Sequence, residues 1–200
     1  MLVSNVVGTK IADALYDWVQ KRWQLHTEFA RAQKQGHGVT NSYLRPDRLG
    51  VDRWLAMIAA RRTLPGTAVC VVDCGTAITV DVVDAAGQHR GGLIAPGLIA
   101  MCSALTRDTA AIGAMPQDAA APEVWLATDT QSGVLAGARL AAAAFIDRVM
   151  TDAQRQLNAP VSGLITGGDA PVLLPLLRIP LRHEPYLVLD GLGLFAGSTS

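Results

Sequence analysis

Residues 69–96, VCVVDCGTAITVDVVDAAGQHRGGLIAP, decide how the rest of the chain is read. Val69, Val71 and Val72 form an apolar run into Asp73, Gly75-Thr76 makes a turn, and Ile78, Val80, Val82 and Val83 lead away from it. Two β-branched runs about a glycine-containing turn predict a hairpin with chemistry at its tip. Gly75 can take a positive φ without a Cβ penalty, which would let backbone N–H groups and the Thr76 hydroxyl converge on an anion while Asp73 holds a cation nearby. Phosphate handling is one reading of the tip. An ordinary tight turn, which favours the same Asp, Gly and Thr, is the other.

Downstream, Asp84-Ala85-Ala86-Gly87 turns the chain, Arg90 to Ile94 read as a third strand, and Pro96-Gly97 opens a helix through Leu98, Met101 and Leu105. Glycines 91, 92 and 97 suit close backbone approach as well as simple turns. Residues 118–122 (DAAAP) read as a small loop. Val134, Leu135, Leu140, Ala144, Ile146 and Val149 mark a long helix from about Thr130 to Leu157, whose alanines permit close packing, another subunit included. Residues 163–166 form a buried strand running into Gly167-Gly168-Asp169, and Pro171 starts a helix. Strand-end glycines before a helix suit a nucleotide phosphate or ribose, and equally an ordinary turn. Residues 186–196 are apolar enough for a terminal helix.

Upstream, residues 2–7 read as an apolar strand, and Ile11, Leu15, Trp18, Val19 and Trp23 recur at helical spacing, predicting an amphipathic helix that covers one face of a sheet. Residues 25–30 suit a short strand, and 33–41 a polar loop with two glycines. A helix is predicted from about Arg53 to Arg62, with Leu55, Ile58 and Ala59 on its apolar side. Asp52 falls where an N-cap belongs, worth about 1 kcal/mol in that role alone. Leu64-Pro65-Gly66 is the natural boundary, dividing the chain into 1–64 and 65–200.

Composition narrows the classes. Half the residues are apolar and 17% charged, the pattern of a globular chain. Lys plus Arg equals Asp plus Glu at 17 each, so no global field favours nucleic acid or an anionic membrane. Cys70, Cys74 and Cys102 lack a CxxC spacing, and His26, His37, His89 and His183 are scattered, so neither a disulfide framework nor a zinc site is expected. No apolar run approaches a membrane span and the N-terminus lacks a signal pattern, which predicts a soluble cytoplasmic protein.

Several short signals occur in one order: Tyr43 followed by Leu49-Gly50-Val51-Asp52-Arg53, then Asp73-Cys74-Gly75-Thr76-Ala77, then Gly91-Gly92-Leu93-Ile94-Ala95-Pro96-Gly97, then Thr130 with Gly133-Val134, then Thr166-Gly167-Gly168-Asp169. This series resembles the type III pantothenate kinases, the family that includes the Bvg accessory factors, and the resemblance covers essentially all of the chain. It implies an α/β, two-lobed ASKHA (actin-like, ribonuclease H-like) fold in a homodimer that transfers the γ-phosphoryl of ATP to pantothenate, the first step of coenzyme A synthesis. Residues 1–64 would be a remnant of the first lobe and 65–200 the second. Asp52 resembles the general base. Tyr43, Gly50, Val51, Asp52 and Arg53 resemble the pantothenate-binding elements, and Thr130 the threonine that closes that pocket across the dimer interface. Asp73 resembles the ligand of a monovalent cation, K⁺ or NH₄⁺. Gly75 and Thr76, with Gly167 and Gly168, resemble the ATP contacts, and Mg²⁺ would bridge phosphate oxygens.

The family's first lobe opens on a hairpin carrying Asp-x-Gly-Asn-Thr, a motif not found in these 200 residues. The chain reads as starting at the fourth strand of that lobe, which predicts an exposed apolar edge at residues 2–7 and low or no activity as written. A late-assigned start codon, a genuine truncation and an element recruited from elsewhere each account for it. The first is favoured because every downstream site residue is kept. A non-catalytic accessory protein that retains the pantothenate pocket is the alternative function. A different ASKHA phosphotransferase is disfavoured by the Gly-x-Asp-Arg segment preceding the hairpin.

Overall fold

The computed structural model describes residues 1–5, 8–108 and 126–196, so Val6 and Val7 of the first apolar run and the 118–122 loop lie outside the described residues. Strand β1 (Leu2–Val3) pairs in parallel with β2 (Glu28–Phe29), and helix α1 (Thr9–Trp23) makes the crossover between them. The expected burial of α1 does not occur: Val19 is buried, whereas Ile11, Trp18 and Trp23 stay about half exposed. The physical reason is area, because two-residue strands offer too narrow a surface to cover a fifteen-residue helix. Trp18 and Trp23 instead meet edge to face, with centroids 4.6 Å apart.

The polar stretch 33–41, expected as a loop, contains a hairpin of β3 (Gln35–Gly36) and β4 (Val39–Thr40). Its two turn residues, His37 (φ 51°) and Gly38 (φ 77°), both take positive φ, the requirement of a type I′ turn. His at the first position is a weaker signal than the usual Asn or Asp, which is why the hairpin reads as loop. A 3₁₀ turn at Pro46–Arg48 leads into α2 (Val51–Thr63). This helix is buried almost all round, from Val51 to Ala60 with Asp52 the half-buried exception, rather than along one stripe.

Strands β5 (Ala68–Cys74), β6 (Ala77–Val83) and β7 (His89–Pro96) realise the predicted hairpin and its third strand. A two-residue connection forces β5 and β6 antiparallel. Helix α3 (Leu98–Asp108) follows, then α4 (Thr130–Leu157), as long as its periodicity predicts. Strand β8 (Val161–Thr166), the short α5 (Ala170–Leu173), β9 (Arg182–His183) and α6 (Leu187–Ala196) complete the chain. The five-stranded sheet has the order β7-β6-β5-β8-β9, with β8 and β9 parallel. Counted from β5 this is 3-2-1-4-5, the strand order of a ribonuclease H-like lobe, so the fold class is α/β of ASKHA type.

Two compact units share the chain, and neither is contiguous. One comprises Met1–Val69, Val83–Gly91 and Tyr186–Ser200, the other Cys70–Val82 and Gly92–Pro185. A division at 64–65 drawn along the sequence assigns α6 to the second part, whereas α6 packs on α2 in the first unit. Gly191 explains how closely. A Cβ added there would stand 2.1 Å from the carbonyl oxygen of Leu55, a backbone atom that cannot swing aside. Gly191→Ala is therefore expected to destabilise the first unit by about 1–3 kcal/mol through overpacking, outweighing the ~1 kcal/mol that alanine gains over glycine as a helix former. A denaturant melt checks this, and a variant as stable as the parent would contradict the close approach. In the second unit, β5 is buried along most of its length, and Ala142, Ala143, Ile146 and Met150 form the buried side of α4.

Candidate functional site

The sequence-predicted residues gather into two groups, one in each unit. In the first unit, Gly50 is the N-cap of α2 and Val51 its first residue, buried to 8% exposure. Asp52 is not the cap, as the sequence suggested. The helix starts two residues earlier, so Asp52 lies inside the first turn, where Oδ1 accepts the backbone N–H of Arg53 at 2.8 Å. That N–H is one of the first four in the helix, which have no intrahelical acceptor. Arg53 is 6% exposed, and its Nη1 donates to the Tyr43 hydroxyl at 2.9 Å. Its guanidinium carbon also lies 5.7 Å from the Tyr43 ring centroid. Tyr43, Gly50, Val51, Asp52 and Arg53 are thus brought together.

Sequence reading missed what holds Tyr43. Asn41 is fully buried; its Oδ1 accepts the Tyr43 N–H at 2.9 Å, and its Nδ2 donates to the carbonyls of Gln33 (3.2 Å) and Pro46 (3.4 Å). His89, from the start of β7, stacks on the Tyr43 ring with centroids 6.1 Å apart and planes 17° apart. Ser42 and His89 are 47 positions apart, so no local spacing could have linked them.

In the second unit, Asp73, Cys74, Gly75 and Thr76 form the tip between β5 and β6, and Gly167, Gly168 and Asp169 pack against it. Gly75 does not take positive φ, contrary to expectation, and its N–H donates to the Ala77 carbonyl at 3.0 Å instead of pointing to an anion. The tip closes within its own hairpin, leaving Gly75 with room: an added Cβ would meet only Asp73 Oδ1, at 4.0 Å. The indispensable glycines lie elsewhere. Gly167 has φ +93°, and a Cβ on it would stand 2.3 Å from the Cys74 carbonyl oxygen and 2.5 Å from Asp73 Oδ1. A Cβ on Gly97 would stand 2.0 Å from the Gly75 carbonyl oxygen, and the Gly97 N–H donates to Thr76 at 3.1 Å. Asp169 N–H donates to the Cys74 carbonyl at 2.9 Å. Glycine backbone on two sides therefore fixes the tip, while the Thr76 side chain remains exposed.

Burial first, then the carboxylates of Asp73 and Asp169, push the Cys74 thiol up to about 12. Burial also raises Asp169, against the opposing charge of Arg139. Two carboxylates, Asp73 and Asp169, thus lie beside one small turn. Among the described residues no three His, Cys, Asp or Glu side chains converge as a metal cage.

Cys70, raised to about 12 by burial and then Asp81, matches Cys74, and all three cysteines are buried free thiols. At pH 8 the native Cys70 and Cys74 are expected to react with iodoacetamide roughly 10³-fold more slowly than the unfolded chain, because the thiolate is the nucleophile. Rapid labelling of either in the folded protein, read by mass spectrometry, would contradict this.

Thr130 is not brought to either group by any described contact. It is the first residue of α4, exposed, directly after the cap Asp129. The Asp129 carboxylate accepts the Ser132 N–H at 2.9 Å, and this bond lowers its pKa. A depressed carboxylate stabilises the fold above its ordinary range, so this cap is lost as pH falls through the lowered value. No described helix is long and apolar enough to cross a membrane.

Comparison with known proteins agrees with this architecture. The chain is 45% identical over 204 residues to the type III pantothenate kinase of Nitrosococcus oceani, covering 100% of this chain and 76% of that one. It is 35% identical over 207 residues to that of Paraburkholderia xenovorans, covering 97% and 77%. A crystal structure of a conserved Baf family protein from Campylobacter jejuni shares the fold, with a TM-score of 0.57 at 20% identity over 93% of this chain and 79% of that one. The type III pantothenate kinase profile matches residues 1–152. With that match and these identities, the chain belongs to the type III pantothenate kinase family.

Proposed function

We propose that the chain binds pantothenate and ATP and transfers the γ-phosphoryl group to the pantothenate hydroxyl, giving 4′-phosphopantothenate for coenzyme A synthesis. The observation that carries this reading is the Arg53–Tyr43 hydrogen bond of 2.9 Å beside Asp52 in the first turn of α2. It joins a fixed cation, a phenol and a half-buried carboxylate, the groups needed to hold a small hydroxy acid and to take a proton from it. Tyr43, Gly50, Val51 and Arg53 would orient pantothenate. Asp52 would accept the hydroxyl proton as the oxygen attacks the γ-phosphorus and the bond to the ADP oxygen breaks.

In the other unit, Thr76, Gly75, Gly167 and Gly168 would contact ATP. Asp73 would hold a monovalent cation, K⁺ or NH₄⁺. Bound cations neutralise charge on the phosphate oxygens. The chain's own part is to keep the tip rigid, through Gly97 and Gly167, so that little reorganisation accompanies transfer. We further propose a cytoplasmic homodimer in which Thr130 of one subunit closes the pantothenate site of the other.

The test is a pair of calorimetric titrations, pantothenate and ATP separately, alongside a coupled assay of ADP release. Pantothenate-dependent ADP release is expected at a low rate, dependent on K⁺ or NH₄⁺. Tight pantothenate binding without turnover would instead favour a non-catalytic accessory role, and no binding of either would sink the reading.

A further inference from the structure

The pantothenate half-site proposed above includes a tyrosine whose orientation is fixed from behind. His89 is 3% exposed. Its Nδ1 lies 3.1 Å from Ser42 Oγ, and its ring lies nearly parallel to that of Tyr43, at 17° with centroids 6.1 Å apart, an offset arrangement. The Tyr43 hydroxyl in turn accepts from Arg53. Tyr43 is thus held at three places: its backbone N–H by Asn41, its ring by His89 and its hydroxyl by Arg53.

The strand that supplies His89 is itself locked to the loop that supplies Tyr43. Asp84 Oδ1 accepts the N–H groups of Ala86 and Gln88 at 3.0 and 2.9 Å, closing the turn before β7. The Thr40 N–H donates to the Gly87 carbonyl at 2.8 Å, and Thr40 and Gln88 form an isolated parallel bridge. Gly87, at φ +85°, lies so close that an added Cβ would stand 2.0 Å from the Gly38 carbonyl oxygen. Backbone contacts therefore fix where His89 stands, and its side chain passes that position on to Tyr43. A buried histidine that is hydrogen-bonded and stacked on a ring could serve core packing alone. Ser42 and Tyr43, which it meets by a hydrogen bond and by a stacked ring, are however neighbours in sequence on the substrate loop, and Tyr43 is the residue bonded to Arg53.

We infer that His89 is a positioning residue for the pantothenate half-site, setting the Tyr43 ring and through it the Arg53 guanidinium without itself touching substrate. The inference rests on the reading of that half-site given under Proposed function. Its test uses the full chain, with His89→Ala, His89→Phe and Ser42→Ala. His89→Ala removes both the stack and the hydrogen bond, and is expected to weaken pantothenate binding about tenfold with ATP affinity and kcat within about threefold. His89→Phe keeps a ring on Tyr43 and is expected to recover most of that loss. Ser42→Ala, the mildest change, is expected to weaken pantothenate two- to threefold. Unchanged pantothenate affinity in His89→Ala would overturn the inference, as would a parallel loss for ATP with a lowered Tm, since general damage to the fold would explain both. Absence of pantothenate binding by the parent chain would overturn the half-site reading instead. The inference then stands or falls on a ligand-free measurement, the ring resonances of ¹³C-labelled tyrosine. A shift of the Tyr43 signal in His89→Ala that His89→Phe reverses supports it, and an unmoved Tyr43 signal overturns it.

Discussion

Asp52→Asn is expected to lower kcat by about 10²–10⁴-fold while pantothenate affinity stays within about threefold of the parent. The amide is nearly isosteric with the carboxylate. Its oxygen can still accept the Arg53 N–H that Asp52 Oδ1 accepts at 2.8 Å, so the first turn of α2 and the Arg53–Tyr43 bond should persist. What disappears is the capacity to accept a proton from the substrate hydroxyl. That range corresponds to roughly 3–5 kcal/mol of lost transition-state stabilisation, far above any effect on a surface helix end. Steady-state kcat together with a calorimetric pantothenate titration separates the two quantities. An unchanged kcat would remove Asp52 as the base. A joint collapse of binding and turnover would make it a ligand of pantothenate rather than a proton acceptor.

Gly167→Ala is expected to be the most damaging single-atom addition at the nucleotide-side tip. Two costs add. An L-residue at φ +93° is strained by about 1–3 kcal/mol, and the new Cβ would stand 2.3 Å from the Cys74 carbonyl oxygen and 2.5 Å from Asp73 Oδ1. The first of these is backbone within the hairpin, so relief requires Asp73 or the whole turn to move. A loss of about 3 kcal/mol or more in stability is expected, together with at least a tenfold rise in KM for ATP. The neighbouring Gly168 gives the internal contrast: nothing lies within 4 Å of its added Cβ and its φ is not positive, so Gly168→Ala should keep its Tm. Equal melting temperatures for the two variants would show that the tip does not depend on backbone approach at Gly167.

Different parts of the fold were legible for different reasons. The hairpin about Asp73 and the long helix to Leu157 carry strong period-2 and period-3.6 signals, and both occur where expected. Helix α1 has an equally clear period, yet its apolar side is mostly exposed. Periodicity says which residues share a face and nothing about what that face meets. At the candidate site the residue types were readable, since Tyr43, Asp52, Arg53 and Asp73 stand in ordered motifs. Their supports were not. Asn41 and His89 carry no spacing signal, because each acts through contacts across a loop or between distant segments.

The sequence by itself determined the α/β class, the hairpin at Asp73 and the family, because alternation, turn chemistry and motif order are written in neighbouring residues. Only the tertiary structure decided which glycines matter. A Cβ on Gly75, at the turn the sequence singles out, would meet only Asp73 Oδ1 at 4.0 Å, whereas Gly97, Gly167 and Gly191 each bring two backbones closer than a Cβ allows. It also decided that α6 packs on α2 and that His89 backs Tyr43. Those are distances between segments far apart in the chain, set by how the core packs, and no local pattern of residue types encodes them.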